Sequence, residues 1–125
     1  MKTAVYLGSL DPPTSGDLDI IRRCAVKFDA LIVGVLEREG AGAESMSLSG
    51  RAGVLRRELA GLKNVEIAPV RDSLSELINE YGVQVVIRSL RFGGDLERER
   101  RFAFAVKMSF PELEFLYMIP DECYA

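Results

Sequence analysis

Apolar residues in this chain come in short β-prone blocks separated by stretches of helical spacing. Thr3-Ala4-Val5-Tyr6-Leu7 is such a block, and it stops at Gly8 ahead of Pro12-Pro13, which predicts a buried strand ending in a loop. Beyond it, Leu18, Ile20, Ile21, Ala25 and Phe28 fall near helical spacing, and Ala30 to Leu36 reads as a second buried strand. A polar loop, Glu37 to Met46, carries Gly40 and Gly42. Ser47 is a plausible N-cap for a helix running to about Leu62, and Val65-Glu66-Ile67-Ala68 is the next strand. Ser73-x-x-Glu76 has the form of a capping box, and the helix it opens, with Leu74, Leu77 and Ile78, should end near Tyr81-Gly82. Val83 to Ile87 predicts a fourth strand, Asp95 to about Met108 a helix, and Glu114 to Ile119 a fifth strand. There is no internal repeat and no low-complexity segment.

Strands alternating with helices imply an α/β fold with a right-handed parallel sheet, and ligands in such folds sit beyond the carboxyl ends of the strands. The candidate loops are therefore Gly8 to Asp17, Glu37 to Met46, Ala68 to Asp72 and Arg88 to Asp95. Pattern alone does not separate a nucleotide site from a flavodoxin-like one.

Composition narrows the chemistry. With 125 residues, 48% of them hydrophobic, the chain fits one domain spanning residues 1–125. A net charge of -3 argues against a general nucleic-acid or membrane surface and leaves room only for a local anion site. Cys24 and Cys123 lie far apart and outside any CxxC spacing, which fits a reducing compartment and two packing residues. No apolar run approaches a membrane span and no signal segment is evident, so the expectation is a soluble cytoplasmic protein. The chain has no histidine, which removes the Ser-His-Asp triad, imidazole acid–base catalysis and most zinc sites.

Two segments carry candidate chemistry. In the first loop, Gly8-Ser9-Leu10-Asp11-Pro12-Pro13-Thr14-Ser15-Gly16-Asp17, the glycines permit close backbone approach, Ser9 offers a hydroxyl, and the following helix start offers free N–H groups to an anion. The plain structural alternative is a tight loop capped by Asp17. At the end of the fourth strand, Arg88-Ser89-Leu90-Arg91 sets two guanidinium groups where ligands sit, each with a fork of donors suited to phosphate; the alternative is a solvated surface pair. Most of the charges from Asp95 to Arg101 read more simply as an exposed helix face with internal ion pairs.

Together these segments resemble the HxGH-type nucleotidyltransferases, and within them the phosphopantetheine adenylyltransferase family of coenzyme A biosynthesis. The resemblance runs from Ala4 to Tyr124 through Tyr6-x-Gly8-Ser9-x-Asp11-Pro12, Asp19-Ile20-Ile21, Phe28-Asp29, Asn64-Val65-Glu66, Arg88-x-Leu90-Arg91, Asp95-x-Glu97-x-Glu99 and Pro111-Glu112-Leu113-Glu114 to Met118-x-Pro120. It implies a Rossmann-like five-stranded parallel sheet with helices on both faces, a homohexamer, and transfer of AMP from ATP to 4′-phosphopantetheine, giving dephospho-coenzyme A and pyrophosphate, with Mg2+ accompanying ATP. In that reaction the pantetheine phosphate attacks the α-phosphorus directly, so the protein acts by positioning and charge stabilisation. Carried over residue by residue, the resemblance assigns Ser9, Leu10, Asp17, Ser89, Leu90, Arg91, Glu99 and Tyr124 to ATP, and Ser9, Leu74 and Arg88 to the pantetheine substrate.

The pattern also departs from the family. Asp17 stands at the catalytic position of the second motif histidine, and a negative charge about 4 Å from a phosphate costs roughly 4 kcal/mol at an effective dielectric near 20. A magnesium ion bridging Asp17 to the phosphates would cancel that cost. Ala41-Gly42-Ala43 occupies the stretch where the family has a lysine, Ser89 replaces a glycine, and Arg98 replaces a tyrosine near the adenine. The sequence ends at Tyr124-Ala125, ahead of the family's serine-rich helix start, so the resemblance reads it as diverged and C-terminally truncated. Three functions follow: an adenylyltransferase with reduced activity, a catalytically inactive nucleotide-binding or assembly homologue, or transfer to a different phosphate or alcohol acceptor.

Overall fold

The computed structural model describes residues 2–37, 47–70, 73–90 and 96–121. In chain order these form β1 (Thr3–Gly8), α1 (Ser15–Ala25), β2 (Ala30–Leu36), α2 (Leu48–Glu58), β3 (Val65–Val70), α3 (Leu74–Tyr81), β4 (Val85–Ser89), α4 (Leu96–Ser109) and β5 (Glu114–Met118). The five strands make one sheet in the order β3-β2-β1-β4-β5, and every neighbouring pair is parallel. This is the predicted Rossmann-like α/β arrangement.

Strand alternation decides which side chain meets which helix layer. Ala4 and Tyr6 of β1 face one way with Leu31, Val33, Val85 and Ile87, where they bury Ile20, Ile21 and Cys24 of α1 and Leu55 of α2. Val5 and Leu7 face the other way with Ile32 and Val86, against Leu77 and Ile78 of α3 and Phe102 and Val106 of α4. Central strands covered on both faces need near-continuous apolar runs, which is the pattern the sequence shows. Gly34 fits this packing closely: a Cβ there would stand 2.7 Å from Leu7 Cδ2.

Several boundaries differ from the sequence expectation. Helix α1 begins at Ser15 rather than near Leu18, and its cap is Thr14, not Asp17; Asp17 is instead the third helical residue of a complete capping box. The α3 cap is Ser73 as expected, but its hydroxyl accepts from the Ser75 N–H and forms no box with Glu76. Helix α3 ends at Gly82, whose φ of 62° is the left-handed conformation that glycine adopts without strain. Strand β3 runs on to Val70 through Pro69, which an edge strand tolerates because only one side of it needs N–H donors. Val83 belongs to the turn after α3, its N–H donating to the Ile78 carbonyl, so β4 starts at Val85. At its other end β4 continues through Arg88 and Ser89, paired with Tyr117 and Met118 of β5. Helix α2 ends at Glu58 and β5 at Met118.

The chain switches direction across the sheet between β1 and β4, so the loops leaving these two strands diverge and open a crevice at their carboxyl ends. Among the described residues, no helix is long and apolar enough to cross a membrane.

Candidate active site

A cavity of about 450 Å3 occupies that crevice. Its walls are the end of β1 and the following loop (Leu7, Gly8, Ser9, Leu10, Asp11), Thr14 and Asp17 of the α1 start, Leu36 of β2, Arg88 and Ser89 of β4, and Arg98 and Glu99 of α4. Two segments about 70 residues apart in sequence, Gly8 to Asp17 and Arg88-Ser89, therefore share one site.

The Asp17 side chain lies in the cavity wall, buried and fully engaged. Its Oδ1 accepts the Tyr6 hydroxyl at 2.7 Å, and its Oδ2 accepts both the Thr14 N–H at 2.9 Å and the Thr14 hydroxyl at 2.8 Å. The Thr14 hydroxyl in turn accepts the Asp17 N–H at 3.1 Å. The carboxylate thus sits where an anion would sit at a helix N-terminus, favoured by the same dipole and donors. A carboxylate with both oxygens bound this way is a poor bridge to magnesium. Among the described residues no group of three or more Asp, Glu, Cys or His is placed to hold a metal ion.

Arg88 and Glu99 form a two-bond fork: Nε to Oε2 at 3.0 Å and Nη2 to Oε1 at 2.8 Å. Nη1 also donates to the Leu7 carbonyl at 3.1 Å, and the guanidinium stacks over the Phe102 ring with Cζ 5.2 Å from its centroid. Each terminal nitrogen carries a second N–H beyond these bonds, so an anion in the cavity can still meet two donors. Glu99 is the exception on α4's charged face; its neighbours behave as expected, with Glu97 and Arg100 in an exposed ion pair at 3.5 Å. The Tyr117 hydroxyl, which donates to the Glu99 carbonyl at 3.3 Å, has its pKa pushed up by burial first and by the Glu99 charge second.

The remaining predicted residues are distributed unevenly. Ser9 and Ser89 line the cavity. Leu10 lines it too, but its side chain is buried in the α1/α2 core and its backbone has a φ of 52°. Leu90 directs its N–H to the Met118 carbonyl at 2.9 Å. Leu74, at the start of α3, faces a separate groove with Phe102 and Phe110 and is not part of the cavity. Arg91, Asp95 and Tyr124, the stretch Ala41-Gly42-Ala43, Asp72 and Cys123 lie outside the described residues.

Two residues of the site went unmarked in the sequence. Thr14 is the N-cap of α1, and only the structure shows its hydroxyl bound to Asp17. Arg51 is 3% exposed, and its Nη1 donates to the carbonyls of Ser9 and of Leu36, the latter at 2.8 Å. A signal for it existed: on α2 it stands three residues after Leu48 and four before Leu55, in the stripe that the apolar spacing buries.

Known proteins share this chain's sequence pattern and fold. Residues 5–124 match the family model described as cytidylyltransferase-like. A phosphopantetheine adenylyltransferase from Thioalkalivibrio sulfidiphilus is 38% identical over 122 residues, covering 98% of this chain and 76% of that protein. One from Natranaerobius thermophilus is 36% identical over 121 residues, covering 97% and 74%. The fold is shared with the lipopolysaccharide core biosynthesis protein from Thermoplasma volcanium, with a TM-score of 0.70 at 13% identity, over 98% of this chain and 99% of that one. A parallel sheet with its crevice at the β1/β4 switch and near-full-length identity above 30% lead to one assignment: the chain belongs to the phosphopantetheine adenylyltransferase family of cytidylyltransferase-like proteins.

Proposed function

We propose that this protein transfers AMP from ATP to 4′-phosphopantetheine, giving dephospho-coenzyme A and pyrophosphate, at a rate lowered by its own site carboxylates. The observation that carries the reading is the meeting of the Gly8-to-Asp17 loop with Arg88 around one crevice, in a chain whose relatives bear that activity in their names. Phosphate on the incoming substrate is itself the nucleophile, so the absence of histidine does not forbid the reaction. Ser9 and the loop backbone would hold ATP phosphates, with the remaining N–H groups of Arg88 meeting the pantetheine phosphate. Arg91, Glu99, Ser89, Leu90 and Tyr124 would complete the ATP site, and Leu74 the pantetheine arm. Magnesium would arrive as the counter-ion of ATP.

One observation favours a second reading, a nucleotide-binding or assembly homologue without turnover. Asp17 accepts the Thr14 hydroxyl and Glu99 holds one edge of the Arg88 fork, so donors that could turn to a phosphate are already bound to carboxylates. Pyrophosphate release from ATP and 4′-phosphopantetheine with magnesium separates the two. Turnover within about a thousandfold of an ordinary rate of about 10 per second supports the transferase. ATP binding without pyrophosphate release supports the homologue and overturns the transferase.

The same reading makes the protein a cytoplasmic homohexamer. The exposed apolar side chains Leu96, Phe104 and Met108 on α4 support a contact between copies, and sedimentation velocity tests it: a monomer at micromolar concentration would remove the hexamer.

A further inference from the structure

Arg51 is a buried cation reaching from α2 to the underside of the first loop. Its Nη1 donates to the Ser9 carbonyl and to the Leu36 carbonyl at 2.8 Å, and both residues line the cavity while Arg51 does not. Its neighbours on the buried face of α2 are Leu48, Ala52 and Leu55, so hydrophobic packing alone would be served by another aliphatic side chain. Burying a guanidinium in the first turn of a helix is unfavourable both by desolvation and by the helix dipole. Hydrogen bonding offsets that cost, and two of its bonds fall on main-chain carbonyls of the site.

We propose that Arg51 is a positioning residue that fixes the orientation of the Ser9–Leu10 peptide for phosphate binding; this rests on the reading that the first loop receives nucleotide phosphates. The Ser9–Leu10 peptide is trans, so its carbonyl and its N–H point in opposite directions. With the carbonyl drawn toward α2 by Arg51, the Leu10 N–H is turned to the other side of the loop. A second, independent observation says that this conformation must be held. Leu10 has a φ of 52°, a left-handed value that a branched aliphatic residue adopts only where its surroundings impose it. Its side chain is anchored in the core from one side and the preceding carbonyl by Arg51 from the other. The bond to Leu36 ties this peptide to the end of β2, so the first loop and the second strand move as one wall of the cavity. Arg51 also keeps a positive charge behind the loop, in a site whose front carries Asp17 and Glu99.

The test compares the full chain with Arg51→Lys and Arg51→Met, using MgATP as the probe in calorimetry at a temperature below each variant's own thermal transition. The expected result is that Arg51→Met weakens ATP binding by about tenfold or more, and that Arg51→Lys, which keeps the charge and a donor, recovers part of it. A purely structural role would lower the thermal midpoint and leave the dissociation constant of the folded variants unchanged, which would overturn the proposal. Loss of the cooperative transition in both variants would make Arg51 a residue of the fold alone and would also overturn it. Failure of the wild type to bind ATP would remove the reading of the loop itself, and this inference with it. Wild-type binding with unaltered affinity in both variants removes only the role of Arg51.

Discussion

The hydroxyl of Tyr6 donates to Asp17 Oδ1 across 2.7 Å in buried surroundings, joining the middle of β1 to the first turn of α1. With the two bonds from Thr14, it makes Asp17 a built-in anion at the helix start. The carboxylate therefore acts in two opposing ways. It stabilises the loop as the third residue of a capping box, and it puts a negative charge in the wall of the cavity proposed to receive phosphates.

Asp17→His separates these effects. Loss of the box should destabilise the protein by about 1 to 2 kcal/mol, visible as a fall in Tm, while release of the Thr14 hydroxyl and removal of the anion should tighten ATP binding or speed turnover. A variant that changed neither affinity nor rate would show that Asp17 does not face the phosphates. Tyr6→Phe is the control: it should cost about 1 to 2 kcal/mol of stability by removing a buried hydrogen bond to a carboxylate, without the gain in affinity.

Arg88 and Glu99 couple β4 to α4 across the same cavity. Their side chains are 20% and 9% exposed, so the pair is shielded from solvent far more than a surface ion pair. A double-mutant cycle with Arg88→Met and Glu99→Gln, followed by chemical denaturation, should give a coupling of about 1 to 3 kcal/mol. Additive single effects would reduce the fork to a weak contact. Arg88→Met should also weaken binding of inorganic pyrophosphate, because it removes the guanidinium from the cavity.

The sheet, its order of elements and the position of the crevice were legible because both faces of the central strands are apolar and because turn chemistry marks their ends. The Ser73 and Gly82 caps and the Ser47 cap are local signals, and the structure keeps them. The state of the charged residues was not legible. Nothing in the spacing of Arg88 and Glu99, or of Tyr6 and Asp17, says that each pair would meet, since both contacts join different elements and depend on register and helix rotation. Thr14 and Asp17 are three residues apart and do form a recognisable box, but proline-rich sequence just before them obscured the helix start. The burial of Arg51 could be read from its place in the apolar stripe of α2, but its bonds to the Ser9 and Leu36 carbonyls could not, because main-chain atoms leave no mark on the sequence.

The phenols of Tyr117 and Tyr81 make a prediction in alkali. Burial is the main cause that raises both pKa values, and Glu99 beside Tyr117 and Glu66 beside Tyr81 add to it. A folded phenol that holds its proton after the unfolded one has released it favours the unfolded state as pH rises. Stability from these groups is thus fully present below an unfolded pKa of about 10 and declines above it. Tyr117→Phe should make the urea midpoint fall less steeply over that range than in the wild type. An unchanged slope would mean that Tyr117 titrates alike in both states.

Leu10 should reverse a familiar order of substitutions. Its side chain is 3% exposed, so cutting it to alanine removes core contacts and should cost about 2 to 4 kcal/mol. Glycine at the same position loses those contacts and one carbon more, and at an ordinary site it would be the worse choice by about 0.5 to 1 kcal/mol. At a φ of 52°, however, alanine retains the left-handed penalty of about 1 to 2 kcal/mol that glycine escapes. Leu10→Gly should therefore match or exceed Leu10→Ala in stability while both fall below the wild type. If alanine proved clearly the more stable, the loop would not hold Leu10 in this conformation, and the orientation of the Ser9–Leu10 peptide argued from it would fail as well.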